Sequence, residues 1–500
     1  MSDTSSTSAN HYDLLVIGSG PAGEKGAAQA AYFDKRVAVI ERETHLGGAA
    51  ANTGTLPSKT LRETALYLSG FQQRGLYGIE ANLRERATVQ DLLFRERAVS
   101  ASERERIGSN FARHRIDLFT GAARFLDPHT VAVGDTGVTI SADFVLIATG
   151  SRPFRPPLYP FDDSCVYDSD EILTLERIPK SLIVVGGGVI GCEYACVFAT
   201  LGVQVTLLET RTELLPFLDR EIVNVLEKRM EALGIRFALG ASVAEVIGSP
   251  NCKVDGGYTI RLQNGDTLDG ETILIAAGRQ GNTERLGLAE IGVAANARGQ
   301  IAVNERFQTS VPHICAAGDV IGSPALASAA MDQGRLAMCH AFGLGYKQAM
   351  PTVIPYGVYT IPEASAAGMT EKEAQEKGIP IVVGRAQFAD LARGEIIGER
   401  FGFLKLVFSK PKLELIGCHI IGEQATELVH IGLTAMLAGQ GADLFLQTCY
   451  NYPTLSEAYK YATYDALGAL QREIRNREAS PEFPAATVKR RSRQPSVAKT

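Results

Sequence analysis

Leu14-Leu15-Val16-Ile17-Gly18-Ser19-Gly20-Pro21-Ala22-Gly23 decides the fold of this chain, because the chain contains the pattern twice. Leu182-Ile183-Val184-Val185-Gly186-Gly187-Gly188-Val189-Ile190-Gly191 repeats it with the same spacing between glycines. In each copy a short apolar run reads as a buried parallel strand. The first glycine permits a tight turn, the second lets backbone approach a pyrophosphate, and the third lets the following helix pack close to the sheet. The helix N-terminus then presents free amides and a positive dipole end to phosphate. Val37 to Ile40 and Val203 to Leu208 read as the next strands. Glu41 and Glu209 end them, each the same number of residues beyond its third glycine. A carboxylate there can accept hydrogen bonds from a ribose diol. One glycine triplet arises easily by chance in a chain with 50 glycines. Two in register, each with its strand and acid, imply two bound dinucleotides and electron transfer between them.

Composition narrows the setting. Five hundred residues suggest three or four domains. The net charge is −6, and the C-terminal segment holds Arg477, Lys489, Arg490, Arg491, Arg493 and Lys499 against Glu478 and Glu482. The body is therefore more acidic still, which argues against nucleic acid as a partner. No stretch reads as a membrane span: Leu182 to Leu208 is apolar, but Glu193 and several glycines interrupt it. Met1 to Asn10 is Ser/Thr-rich, without the basic start and apolar core of a secretory signal. Eight cysteines occur with no C-x-x-C pair, and Cys192 and Cys196 read as packing on one helix face. These features lead us to expect a cytoplasmic protein that binds no metal.

The organisation follows the repeat. Residues 1–10 read as a disordered tail and 11–155 as the first part of one dinucleotide domain, closing with Val145-Leu-Ile-Ala-Thr149-Gly150. A second dinucleotide domain, 156–277, ends just before Gly278 in the similar Ile273-Leu-Ile-Ala-Ala-Gly278. Residues 278–350 contain Cys315-Ala-Ala-Gly318-Asp319, an apolar strand ending in Gly-Asp. From 351 to 475 the texture changes to strands at Gly402 to Phe408 and Leu413 to Ile421 and a helix near Ala425 to Ala438, as in a separate α+β unit. Residues 476–500 read as a basic, disordered tail. The fold class expected is α/β: two Rossmann-like dinucleotide-binding domains plus a C-terminal α+β domain.

Gly47-Gly48-Ala-Ala-Ala-Asn52-Thr53-Gly54-Thr55-Leu-Pro57-Ser58-Lys59 resembles the active-site segment of the pyridine nucleotide–disulfide oxidoreductases, lipoamide dehydrogenase and glutathione reductase among them. The resemblance runs from about residue 11 to 475. Family members carry two cysteines before Pro-Ser-Lys; here those positions are Ala50 and Thr55. The family's C-terminal His-Pro-Thr-x-x-Glu is here Tyr452-Pro453-Thr454-Leu-Ser-Glu457, so the acid/base histidine is a tyrosine. A thiolate is the nucleophile of disulfide exchange, and neither alanine nor threonine replaces it. Tyrosine, with a pKa of about 10, is a poor substitute for histidine. Disulfide reduction by the family route is chemically closed.

The resemblance implies FAD on the first domain (11–155 with 278–350), NAD or NADP on the second, and a homodimer or larger homo-oligomer built through 351–475. It makes Lys59 and Glu193 the catalytic pair, Lys59 beside flavin N5. It assigns the FAD site to Gly18, Gly20, Gly23, Glu41, Arg42, Gly48, Thr53, Ala123, Thr149, Gly150 and Asp319. The nicotinamide-nucleotide site is assigned to Gly186, Gly188, Val189, Ile190, Gly191, Glu209, Arg211 and Gly278. Without dithiols, the chain looks most like the soluble FAD-dependent transhydrogenases within the family, which move hydride between NADPH and NAD through flavin. An NAD(P)H-dependent reductase of quinones or other small acceptors, and a non-catalytic nucleotide sensor, are the alternatives. Arg42 and Arg152 read equally as solvent-facing charges, Tyr452 as an interface packing residue, and His430 as a satisfied core or interface group. Glu209 suits the free 2′-hydroxyl of NAD, and Arg211 could pair with the 2′-phosphate of NADP.

Overall fold

The computed structural model describes residues 11–70, 76, 87–161, 165–248 and 257–479. They form two compact units, one running through Ser365 with Ile421–Glu427 added, the other comprising Ala366–Ile420 and the chain from Leu428. The N-terminal tail lies outside the described residues, as does most of the basic tail. The last helix, Ala458–Ala479, runs further than the expected boundary at 475.

In the first unit both apolar runs are strands, and both lie in parallel sheets. His11–Ile17 pairs in parallel with Val37–Glu41 on one side and with Val138–Ile147 on the other. Asp117–Thr120 extends the sheet beyond Val37–Glu41, and the antiparallel strands Thr130–Val133 and Ala123–Asp127 extend it beyond Val138–Ile147. The second sheet has the order Arg236–Leu239, Gln204–Glu209, Ser181–Val185, Thr272–Ile275, Val166–Asp168, parallel throughout. Strands covered on both faces need apolar side chains throughout. Accordingly Leu14, Leu15 and Val16, and Ile183 and Val184 in the repeat, are wholly buried.

The two turns match closely. Gly18 and Gly186 have φ of +102° and +113°, a region that favours glycine. A Cβ at Gly18 would lie 2.5 Å from the Ala148 carbonyl oxygen; at Gly186 it would lie 2.4 Å from that of Ala276. A Cβ at Gly23 or at Gly191 would lie 1.9 Å from the carbonyl oxygen of the first glycine of its own motif. The helices Pro21–Ala31 and Val189–Thr200 thus start in direct contact with their turns. Proline begins the first, where its missing N–H removes no helical bond.

The second sheet is inserted into the first through a narrow neck. Ser151–Pro153 leads out and Arg279–Gly281 leads back, and the two pair antiparallel with Arg279 opposite Pro153 and Gly281 opposite Ser151. The returning chain then adds Ile314–Ala316 to the first sheet, parallel to Val138–Ile147. In the second unit, Ala364–Gly368, Glu414–Ile421, Phe403–Ser409 and Ile381–Gln387 are neighbours in that order. The expected helix there spans Ala425–Leu437. Among the described residues no helix is long and apolar enough to cross a membrane, and no acidic, cysteine or histidine cluster suits a metal ion.

The glycine contacts carry a stability prediction. Gly191→Ala must push the helix off its turn and should cost about 1–3 kcal/mol. Gly188→Ala, with an ordinary φ of −80° and nothing within 4 Å of the added carbon, should cost less than about 0.5 kcal/mol. Thermal melts of the two variants beside the unaltered protein check the contrast.

Candidate active site

Each acid secures its own turn. Glu41 Oε2 accepts the Ser19 amide at 2.8 Å and the Ser19 hydroxyl at 2.7 Å, and its Oε1 accepts the Glu43 amide at 3.0 Å. Glu209 Oε2 accepts the Gly187 amide at 2.7 Å and its Oε1 the Arg211 amide at 2.9 Å. The two carboxylates differ in what remains. A carboxylate has about four acceptor positions. Glu41 uses three of these in the bonds above. Glu209 also accepts Arg211 Nη2 at 2.9 Å and the Thr210 hydroxyl at 3.0 Å, which fills the fourth. Burial pushes the Glu209 carboxyl up, but the bonds from Arg211, Gly187 and Thr210 outweigh it and hold the group at about 2.

The phosphate side of both turns is open. A Cβ at Gly188 would meet nothing within 4 Å, and one at Gly20 only the Gly48 Cα at 3.9 Å. Gly48, at φ +55°, brings its own backbone against Gly20, and the Gly47 amide donates to Ser19 Oγ at 3.0 Å. Gly150 and Gly278 have positive φ and open space where a side chain would be. Val189 and Ile190 are half-buried in the first turn of their helix. Thr149 Oγ1 is buried without a hydrogen-bond partner. Open glycine turns at two helix N-termini, with an unpartnered hydroxyl near the first, fit two dinucleotides.

Lys59 and Glu193 meet between the turns. Lys59 stands on the helix Thr55–Ser69, which follows the segment where the family has its cysteines. Glu193 is on the helix Val189–Thr200 of the inserted domain. Lys59 Nζ lies 2.6 Å from Glu193 Oε2, and Glu193 Oε1 accepts the Tyr359 amide at 2.9 Å. The Tyr359 ring lies 5.0 Å from the Lys59 ammonium. The helix is held further along by Arg62, buried, whose Nε donates to the Thr360 carbonyl at 2.9 Å. A lysine fixed by a nearly buried carboxylate is a cation with one orientation.

Asp319 follows Gly318, whose φ is +81°, and accepts the Ser151 hydroxyl at 2.7 Å. Gly318 itself donates to the buried Gln333 at 2.8 Å. The other expected residues fall in different places. Thr53 caps the short helix Gly48–Asn52, and its side chain bonds Asp170. Ala123 puts its side chain into the core with Phe125 and Val133, leaving only backbone to a ligand. Arg42 is exposed and pairs with Glu43, and Arg152 pairs with Glu284. Arg211 pairs with Glu209 rather than standing free. Tyr452 and His430 are exposed on the second unit, so of the two places expected for His430, core or interface, the core of this chain is not the one it takes.

Thiol chemistry has little support. Burial pushes the thiols of Cys196, Cys315 and Cys418 up to about 12, and raises that of Cys192 well above the ordinary thiol value. Cys165 alone among the described cysteines is disulfide-bonded, a pairing its spacing did not signal.

Sequence reasoning missed Ser151, Arg279, Asp170, Tyr359 and Gln333. Each acts through a contact with a residue far away in the chain, and none belongs to a local pattern.

The family described as pyridine nucleotide-disulphide oxidoreductase matches residues 12–334, and its dimerisation domain matches 354–463. The chain belongs to the pyridine nucleotide-disulphide oxidoreductases. It is 45% identical over 465 residues to a soluble pyridine nucleotide transhydrogenase of Mycobacterium tuberculosis, covering 92% of this chain and 98% of that one. It is 42% identical over 468 residues to one from Pseudomonas putida, covering 92% and 99%. Among solved structures, it is similar to LpdA from Mycobacterium tuberculosis, with 26% identity, a TM-score of 0.83 and coverage of 91% and 99%. It is also similar to the HOCl-induced flavoprotein disulfide reductase RclA from Escherichia coli, with 28% identity, a TM-score of 0.81 and the same coverage.

The pKa of Glu209 sets a pH dependence. Its folded value lies below that of an ordinary glutamate. The stability it contributes is therefore complete above the ordinary value and is lost as pH falls towards about 2. Glu209→Gln should be less stable than the unaltered protein at pH 7. The gap should narrow as pH falls from about 5, measured by denaturant titration across that range.

Proposed function

We propose that the chain is a FAD-dependent pyridine nucleotide transhydrogenase, moving hydride from NADPH to NAD and in reverse without a redox-active disulfide. One observation carries the reading. The Lys59–Glu193 pair is intact at 2.6 Å between two open dinucleotide turns, while Ala50 and Thr55 stand where the family has cysteines. Relatives at 40–45% identity, which are soluble pyridine nucleotide transhydrogenases, support it. A bound flavin would supply a two-electron carrier able to accept hydride from one nicotinamide and return it to another.

The chain's own groups supply the rest. The first turn, with Glu41, Gly48, Gly150 and Asp319, would hold FAD; the spare acceptor position of Glu41 suits a ribose hydroxyl. The second turn, with Val189, Ile190 and Gly278, would hold either nicotinamide nucleotide in succession. Lys59, oriented by Glu193, places a positive charge where negative charge develops, and Tyr359 fixes Glu193 from the other side. Cofactor roles for Arg42, Thr53, Ala123 and Thr149 rest on the family resemblance.

Arg211 gives the second site a way to accept both nucleotides. While it lies on Glu209, all four acceptor positions there are taken. A 2′,3′-diol needs one of them, so Arg211 must swing away when NAD binds. A 2′-phosphate would repel Glu209 but attract the same released guanidinium. The half-exposed side chain has room to move.

We read 351–475 as a dimerisation domain and the protein as a homodimer or larger homo-oligomer. The family match at 354–463 supports this, as do the exposed Tyr452, Tyr461 and Tyr464. The boundaries 11–155, 156–277 and 278–350 belong to the same reading, with the neck at 151–153 and 279–281 in their favour. Six free cysteines among those described suit a cytoplasmic setting.

The test is anaerobic mixing of the FAD-loaded protein with NADPH and a thio analogue of NAD, followed by product absorbance. Transfer to the analogue should outpace transfer to a quinone; the reverse order would make the protein a quinone reductase, and no flavin bleaching by NADPH would leave a sensor. Lys59→Met should retain FAD yet slow transfer by at least about tenfold, or about 1.4 kcal/mol of barrier. Arg211→Ala should raise KM for NADPH by about tenfold while moving that for NADH less than about twofold; equal rises would remove Arg211 as the phosphate reader.

A further inference from the structure

Arg279 is the first residue of the strand by which the chain returns from the inserted domain. Its side chain is only 20% exposed, and its guanidinium faces three groups of different origin. Nε donates to the Ser151 hydroxyl at 2.8 Å, and Nη2 donates to the Ser151 carbonyl at 2.8 Å. The Ser151 hydroxyl donates in turn to Asp319 Oδ2 at 2.7 Å, and Arg279 Nε itself lies 3.9 Å from that oxygen. On its other side, Nη1 is 3.7 Å from Asp170 Oδ1, a buried oxygen without a hydrogen-bond partner. Asp170 also bonds the side chain of Thr53, at the end of the segment that leads to Lys59.

We propose that Arg279 is a positioning residue for FAD. It holds Asp319 in place through Ser151 and joins it, by way of Asp170 and Thr53, to the segment before Lys59. The physical reason lies in the proton and charge arrangement. A serine hydroxyl has one proton, and here it is directed to Asp319. Arg279 Nε occupies a lone pair of that hydroxyl, so the proton is not free to turn back. The guanidinium fork then fixes Ser151 at both side chain and main chain, which a single ammonium could not do. Without Arg279, the hydroxyl can rotate, Asp319 loses its fixed orientation, and the half-buried Asp170 carboxyl loses the cation that faces its buried Oδ1. Arg279 and Ser151 lie on the two opposed strands of the neck. The alignment of Asp319 therefore depends on the inserted domain being closed behind it.

The inference rests on the assignment of Asp319 to FAD, and the experiment separates the two. Deflavinated protein is titrated with FAD and the quenching of flavin fluorescence followed, for the unaltered chain, Arg279→Met, Ser151→Ala and the double variant. Arg152→Met, which alters the neighbouring exposed arginine paired with Glu284, is the control for the neck. Arg279→Met and Ser151→Ala should each weaken FAD binding by about tenfold. The double variant should be no weaker than Arg279→Met alone, because both substitutions break one relay. Arg279→Lys should recover only part of the loss, and Arg152→Met should match the unaltered chain. Binding within twofold of normal in Arg279→Met, additive losses in the double variant, or an equal loss in Arg152→Met would overturn the positioning role. Failure of the unaltered chain to bind FAD would overturn the proposed function and the inference with it.

Discussion

The closest approach in each dinucleotide turn is between a helix and the turn that starts it, where a Cβ on the third glycine would lie 1.9 Å from the first glycine's carbonyl oxygen. Everything functional follows from that contact. It sets the angle at which the helix leaves the sheet, and so the direction of its first-turn amides. In the second copy it also places Glu193, two residues further along the same helix, where Lys59 reaches it. A larger residue at Gly191 would therefore disturb phosphate binding and the ion pair together.

The two acids show how similar turns diverge. Both carboxylates tie down the residue that follows the first glycine of the motif, and both take the amide two residues beyond themselves. Glu41 keeps an acceptor position free, whereas Glu209 gives its last one to Arg211. The first site suits a resident cofactor, because nothing has to leave for it to bind. The second carries a movable cation over its carboxylate, as a site visited by two nucleotides would need.

Much of this was legible in the residues themselves. The strands at Leu14 and Leu182, the helices after them and the acids at 41 and 209 follow from local pattern, because a tight turn constrains residues only a few places apart; that Ala50 and Thr55 stand in place of cysteines was legible only through the family resemblance. Lys59 and Glu193 could be paired only by resemblance. Their meeting depends on how two domains face each other, which no periodicity encodes. Ser151 and Arg279 left no signal at all: each is one polar residue among many, made significant by a ladder between strands more than a hundred residues apart. Arg211 was visible as a charge near the ribose acid, but not its direct bond to that acid. For His430 the apolar helical neighbourhood left core and interface open, because it does not say which side of the helix faces the chain's own core; the residue is exposed within the chain.

The neck between the inserted domain and its host has a consequence for how such a molecule arises. Because Ser151–Pro153 and Arg279–Gly281 lie side by side, the chain resumes next to the point where it departed. Ile314–Ala316 then joins the host sheet beside Val138–Ile147, so the host core is completed by segments from before and after the excursion. A duplicated gene segment spliced in at such a place leaves the host's topology untouched. The guest's ends are already close together, as an insertion into a standing fold requires.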